Sequence, residues 1–192
     1  MPSVDLTGAT EAMTELLASV SDEDLERHSP CPDLTVGTLV SHVHGLTQAF
    51  EAAARKDLGP LTSTPPTDGI GPLPEDWRAT APAHLSALAT AWQDPAAWSG
   101  MTAAGGVDLP GEVAGLVAAD ELVVHGWDIA RSTGHAFDPG EPALQAAHAF
   151  LVESRKGPVP ATLFGPEVPV GDDAPLFDRV IGLSGRDPAW TP

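Results

Sequence analysis

The sequence is poor in basic residues and in cysteine. Nine Lys and Arg side chains stand against 27 Asp and Glu, which gives a formal net charge of −18. Nucleic acids and anionic membranes both attract basic surfaces, so this charge argues against either as a partner. The single cysteine, Cys31, has no second cysteine with which to form an internal disulfide.

Long apolar runs are missing as well. No stretch approaches the roughly 18 to 20 apolar residues of a membrane span. The first residues, MPSVDLTGATEAMTELL, also lack the basic segment followed by an apolar one that marks a signal peptide. We therefore predict a cytoplasmic protein. Its 192 residues, 42% of them hydrophobic, are enough for one domain with a sizeable core.

Apolar residues recur at helical spacing in several segments, and stretches rich in Gly and Pro separate them. Strand-type alternation is scarce, so the sequence predicts an all-α bundle of four or five long helices. Loops are expected at 59–73 and 94–108, and the Pro-rich tail contains one short helical turn near 177–183. The predicted long helices are 9–20, 35–59 with Thr35 as its cap, 74–92, 110–134 and 142–155.

The fourth predicted helix carries a polar seam. Glu121, His125 and Asp128 fall on a stripe only about 60° wide, and the rest of the helix is mainly apolar. Burying a carboxylate or an imidazole costs roughly several kcal/mol unless the group is paired, hydrogen-bonded or bound to a metal ion. The seam therefore needs a partner on a neighbouring helix.

A divalent metal ion is one such partner. Glu121 and His125 lie one turn apart, and catalytic zinc sites commonly combine two His with one Glu. On the second helix, His42 lies about 60° from the mean apolar direction and His44 about 140° from it. His42 is thus the predicted third ligand, and His44 is predicted to face water.

The sequence leaves three questions open. Asp128 either orients His125 from behind or forms a surface ion pair with Arg131. The seam and His42 could also form a hydrogen-bonded network without any metal. Cys31 is either an inert, buried small side chain, which we favour, or a thiol near a helix N-terminus with a lowered pKa.

Three segments resemble a known family: SPCPDLTVGTLVSHVHG, ADELVVHGWDIARSTG and FGPEVPVGDDAPLFDRVIGLSGRDPAW. They are similar to actinobacterial metal-binding proteins related to the N-terminal domain of mycothiol-dependent maleylpyruvate isomerase. The resemblance implies a DinB-like up-down four-helix bundle spanning 1–192 as one domain, with 158–192 as an irregular Pro-rich tail packed on it. It also implies a divalent metal, typically zinc, held by His42, Glu121 and His125.

Leu34 and Gly37 depart from the family pattern, which often has a Trp and a charged residue at these positions. We expect the wall on the substrate side of the site to differ accordingly. The isomerase also has an additional C-terminal domain that helps to process the thiol adduct, whereas the residues after Arg155 here are mostly a Pro- and Gly-rich tail. Maleylpyruvate isomerisation itself is therefore a weaker expectation than the metal bundle.

The resemblance implies a metal-dependent enzyme of the mycothiol-dependent isomerase or thiol S-transferase type. The metal would activate a low-molecular-weight thiol, with mycothiol as a candidate cosubstrate and a small molecule as substrate. Thiol transfer needs no further general base, and no catalytic residue beyond the ligands is assigned. The alternatives are a metal-dependent hydrolase that uses metal-bound water and a non-catalytic metal-binding module. A homodimer is compatible with the sequence.

Overall fold

The computed structural model describes residues 3–32, 34–65, 70–157 and 164–192. These residues are mostly helical and contain one small antiparallel sheet. The strands are β1 (Met101–Ala104) and β2 (Val107–Pro110). The helices are α1 (Thr7–Ser19), α2 (Val36–Arg55), α3 (Pro60–Ser63), α4 (Trp77–Trp92), α5 (Gly111–Thr133), α6 (Glu141–Ser154) and α7 (Leu176–Leu183).

Local signals in the sequence determine where the two central helices begin and end. Thr35 caps α2, since its Oγ1 accepts a hydrogen bond from the backbone N–H of Thr38 at 3.3 Å. The predicted start of α5 at Pro110 and its stop at Gly134 are confirmed, and Gly134 has the left-handed φ of 75° typical of such stops. α2 ends earlier than predicted, because Lys56 adopts a left-handed φ of 59°.

Four helices form the packed centre of the molecule. α1 and α2 each pack against both α4 and α5, so that the four apolar faces share one core. α6 packs on the outside of α5, and α7 packs on α6. α2 and α5, which carry the predicted site residues, are therefore direct neighbours.

The last residues of the chain are held against the helices by arginine side chains. Arg155 donates hydrogen bonds to the carbonyl oxygens of Leu183 and Gly165. Arg131 donates to the carbonyl oxygens of Pro188 at 2.9 Å and Trp190 at 3.0 Å. Residues 158–163 of the predicted tail lie outside the described residues.

The segment predicted as a loop at 94–108 contains most of a β-hairpin, which is a correction. β1 and β2 pair through a two-residue turn, Gly105 and Gly106, with φ values of 60° and 79°. Two consecutive positive φ values define the turn that suits the twist of a tight hairpin, and glycine adopts them at little cost. Thr102 anchors the hairpin to α2 by donating a 2.6 Å hydrogen bond to the carbonyl oxygen of Ala53.

Among the described helices, none combines the length and the apolar character that crossing a bilayer requires.

Candidate metal centre

Three of the predicted site residues converge between α2 and α5. One donor atom from each of His42, Glu121 and His125 can be chosen such that all three lie within 4.8 Å of one another. Oε2 of Glu121 is 3.0 Å from Nε2 of His125 and 3.8 Å from Nε2 of His42. The two imidazole side chains are about one-tenth exposed and the glutamate about one-quarter, so the cluster is sheltered but reachable. This geometry can hold either protons or one divalent cation.

His44 lies outside this cluster and contacts α4. Its Nε2 is 3.1 Å from Oγ1 of Thr80, and its ring centroid is 5.1 Å from that of His84. Both neighbours belong to α4, so His44 is half-buried between two helices. The expectation that it faces open water is wrong, because α4 packs over this side of α2.

Asp128 lies behind His125 and is completely buried. Its Oδ2 is 3.0 Å from Nδ1 of His125, while Arg131 binds carbonyl oxygens of the tail instead. Of the two interpretations of Asp128, the structure therefore shows the one in which it contacts His125. When Nδ1–H donates to Asp128, the lone pair of Nε2 is left facing Glu121, which is the arrangement that metal-binding histidines use.

Arg186 completes this arrangement from the C-terminal tail. Its Nε is 3.2 Å from Oδ1 of Asp128 and its Nη2 is 2.9 Å from Oδ2, a two-pronged contact. Arg186 was not among the predicted site residues. The only signal for it was its place in the GRDPAW stretch that contributed to the family resemblance.

The buried charges shift one another's pKa values. Burial opposes ionisation of Asp128, but the charges and hydrogen bonds of Arg186 and His125 together outweigh it and hold the pKa of Asp128 below 3.8. Burial likewise disfavours the charged form of His125, yet hydrogen bonds to Asp128 and Glu121 raise its pKa to about 9. Despite burial, the pKa of Glu121 is lowered by the nearby imidazoles of His125 and His42, whose Nε2 atoms lie 3.0 and 3.8 Å from Oε2. Without an ion, the cluster therefore binds a proton where a cation would sit.

Asp120, the residue before Glu121, is a second buried carboxyl group that the sequence analysis missed. Its Oδ1 finds no hydrogen-bond partner among the described residues. Burial, together with the charge of Glu121, raises the pKa of Asp120 well above 3.8. Burial therefore favours the protonated, uncharged form of Asp120.

Cys31 lies near the cluster but supplies none of its three donors. Burial is the main influence on the thiol and raises its pKa to about 11, against an opposing effect of Arg186. The low-pKa alternative for Cys31 is thus wrong, and the inert interpretation agrees with the structure.

A family model matches this chain. The model of the mycothiol maleylpyruvate isomerase N-terminal domain covers residues 6–130, which include His42, Glu121, His125 and Asp128. The chain belongs to this family. Members of the mycothiol maleylpyruvate isomerase N-terminal domain family are thus the proper comparison for the site, and the sequence-based recognition of the family is confirmed.

Two relatives extend the comparison to nearly the whole chain. Two uncharacterised proteins of Mycobacterium tuberculosis, from strains CDC 1551 and ATCC 25618, are each 28% identical to it over 184 residues. Each alignment covers 93% of this chain and 93% of the relative.

Solved structures of the mycothiol-dependent maleylpyruvate isomerase share the fold. The crystal structure of this enzyme matches with a TM-score of 0.55 at 22% identity, covering 77% of this chain and 68% of the enzyme. A histidine-to-alanine mutant of the same enzyme matches with a TM-score of 0.52 at 20% identity and the same coverage. At this identity the likeness concerns the fold alone.

Proposed function

We propose that this family member is a metal-dependent enzyme that activates a low-molecular-weight thiol for S-transfer or isomerisation. The observation that carries the proposal is the convergence of donor atoms from His42, Glu121 and His125 within 4.8 Å. Family membership supports the thiol as cosubstrate and mycothiol as the thiol to test first.

The donor set suits a zinc ion used for chemistry. Catalytic zinc sites typically have three protein ligands drawn from His and carboxylates, whereas structural sites have four and are rich in Cys. The cluster offers His42, Glu121 and His125 and no cysteine donor. When bound, the ion would lower the pKa of a thiol placed at its open position, so that a thiolate is present near neutral pH.

The surrounding residues set the charge and orientation of the ligands. Asp128 holds the His125 ring through Nδ1, and Arg186 neutralises Asp128 through two contacts. Because Asp128 and Arg186 cancel, the ligand set as a whole carries the single negative charge of Glu121. A divalent cation there would keep a net positive charge, which favours binding of an anionic sulfur.

We also propose the architecture and the cellular location that the sequence predicts. We assign one DinB-like domain over 1–192, built as an up-down four-helix bundle with the Pro-rich segment 158–192 packed on it. We also assign a cytoplasmic location and a small-molecule substrate. A homodimer is the assembly to test by light scattering.

Cobalt substitution tests the proposed function directly. Thiolate bound to Co²⁺ produces a strong sulfur-to-metal charge-transfer absorption that oxygen ligands do not. We expect this band when mycothiol is added to the cobalt-loaded protein, and we expect it in His44→Ala but not in His125→Ala.

Two results would replace the proposal. If millimolar mycothiol leaves the cobalt spectrum unchanged while the protein hydrolyses esters or amides, the hydrolase alternative is correct. If the spectrum is unchanged and a broad substrate panel shows no turnover, the protein is a non-catalytic metal-binding module.

A further inference from the structure

A turn near the end of the chain, residues 187–190, lies against α5. The backbone N–H of Trp190 closes this turn by donating a 2.9 Å hydrogen bond to the carbonyl oxygen of Asp187. Arg186 immediately precedes the turn and contacts the two carboxylate oxygens of Asp128 at 3.2 and 2.9 Å. The position of the turn therefore influences where the guanidinium of Arg186 lies.

Arg131 holds this turn on α5 with a single nitrogen atom. Its Nη2 donates hydrogen bonds to the carbonyl oxygens of Pro188 at 2.9 Å and Trp190 at 3.0 Å. Arg131 follows Asp128 by three residues on α5, so the two side chains project from the same side of the helix. The helix that carries Asp128 thus also holds the segment that brings Arg186 to it.

The surroundings of Arg131 favour positioning over stability as its role. Its Nε is buried and has no hydrogen-bond partner among the described residues, which lowers stability. Pro188 and Trp190 are only partly buried, and a released turn would hydrogen-bond to water instead. The two hydrogen bonds therefore add little to the stability of the fold, but they fix the position of the turn.

The contacts continue from the turn to a metal ligand. Arg186 binds Asp128, and Oδ2 of Asp128 lies 3.0 Å from Nδ1 of His125. Groups behind a metal-binding histidine fix the orientation of its ring, and their loss typically weakens metal affinity about 10- to 100-fold. Arg131 acts from further away than Asp128, so an effect at the lower end of this range, about tenfold, is expected.

We infer that Arg131 is a positioning residue for the candidate metal centre: it docks the turn on α5 and thereby keeps Arg186 on Asp128, which orients His125. This inference rests on the metal-binding part of the proposed function and adds the turn at 187–190 to the site. Docking of the turn and binding of the metal are then coupled. Such coupling is reciprocal, so zinc must favour the docked turn by the same factor by which the docked turn favours zinc.

The zinc affinity of three variants, measured by competition with a chromophoric chelator, tests the inference. Arg131→Met should weaken zinc binding about tenfold. Arg131→Lys should stay within about twofold of the wild type, because both hydrogen bonds come from one nitrogen and an ammonium group can donate both. Arg27→Met is the matched control and should also stay within about twofold, since Arg27 donates to the carbonyl oxygen of Ser132 on α5 rather than to the turn.

Hydrogen exchange followed by NMR supplies a second readout, one that a purely structural role of Arg131 would not change. In the wild type, zinc should slow exchange of the backbone N–H of Trp190 about tenfold, because that N–H is protected while the turn is docked. In Arg131→Met, zinc should change this rate little, since the turn is no longer held on α5.

The outcomes separate this inference from the proposed function. Zinc affinity of Arg131→Met within about twofold of the wild type, or Trp190 exchange that zinc leaves unchanged in the wild type, would overturn the inference alone. An equal loss of affinity in Arg27→Met would also overturn it, because the effect would then belong to the end of α5 in general. If the wild type binds no zinc, the proposed metal centre fails together with the inference. If these results hold but mycothiol produces no charge-transfer band in the cobalt protein, the inference stands and only the thiol role fails.

Discussion

Replacing Arg186 with methionine should strongly destabilise the protein. Met keeps much of the aliphatic stem but removes the guanidinium that contacts Asp128. In the folded protein the Asp128 side chain is 0% exposed and that of Arg186 is 9% exposed. Arg186→Met would leave a buried carboxylate with His125 as its remaining charged hydrogen-bond partner.

The magnitude follows from the contacts that are lost. Arg186 makes two charge-assisted hydrogen bonds to Asp128, at 3.2 and 2.9 Å, each worth about 1.5–3 kcal/mol. Removing one partner of a buried ion pair typically costs about 3–5 kcal/mol. This is a large part of a domain's free energy of unfolding, which is typically about 5–15 kcal/mol. We expect a loss of about 3–5 kcal/mol in the free energy of unfolding.

The pH dependence of this loss has a definite sign. The pKa of Asp128 is lowered below 3.8 in the folded state, so its ion pair stabilises the fold above that pH and is lost as pH falls through the folded-state pKa. Without the guanidinium, burial raises the pKa of Asp128 in the folded variant, so the effect of Arg186→Met should be largest near about pH 7 and should shrink as acid protonates that carboxyl.

Urea unfolding of the metal-free protein, followed by circular dichroism, measures the loss. Lys156→Met is the control, because Lys156 pairs with Glu153 at the surface with both side chains about two-thirds or more exposed, and it should change stability by less than about 1 kcal/mol. Adding Asp128→Asn to Arg186→Met should restore part of the stability by removing the unpaired charge. A loss below about 1 kcal/mol for Arg186→Met, or a double variant less stable than the single one, would refute the reasoning.

Two further predictions concern packing and reactivity. Gly126→Ala should lower the free energy of unfolding by about 1–3 kcal/mol, since the added Cβ would lie 2.2 Å from Cζ of Phe137. Gly45→Ala, whose added Cβ has nothing within 4 Å, should raise it by about 0.5–1 kcal/mol, and urea unfolding that shows the same sign for both variants would contradict this. Cys31, with a pKa of about 11, should react with iodoacetamide about 100-fold more slowly at pH 7 than a thiol of pKa 9.0, and faster with rising pH; a rate equal to that of a free thiol would contradict its burial.

The long helices could be predicted because their signals are local. Thr35, Pro110 and Gly134 mark helix ends through chemistry that acts within a few residues, and helical spacing of apolar residues reveals each buried face. The β-hairpin at 101–110 escaped prediction because strands of four residues carry too little alternation to be recognised. Its Gly105–Gly106 turn was the one usable signal.

Some residues of the candidate site could likewise be predicted from local signals, and others could not. His42, Glu121 and His125 could be brought together by facing arguments, because each lies on a regular helix with a clear apolar side. Arg186 could not, since it lies 58 residues after Asp128, beyond a Pro-rich segment whose path no periodicity predicts. Asp120 was missed because nothing local distinguishes a buried aspartate from a solvated one next to Glu121.

The central claim is that His42, and not its neighbour His44, joins Glu121 and His125 around one divalent ion. Metal analysis of wild-type protein, His42→Ala and His44→Ala, each dialysed against the same zinc buffer, tests this most directly. We predict about one zinc per chain in the wild type and in His44→Ala, and little in His42→Ala, because the two ligands left on α5 hold zinc poorly. Zinc retained in His42→Ala, or lost equally from both variants, would contradict it.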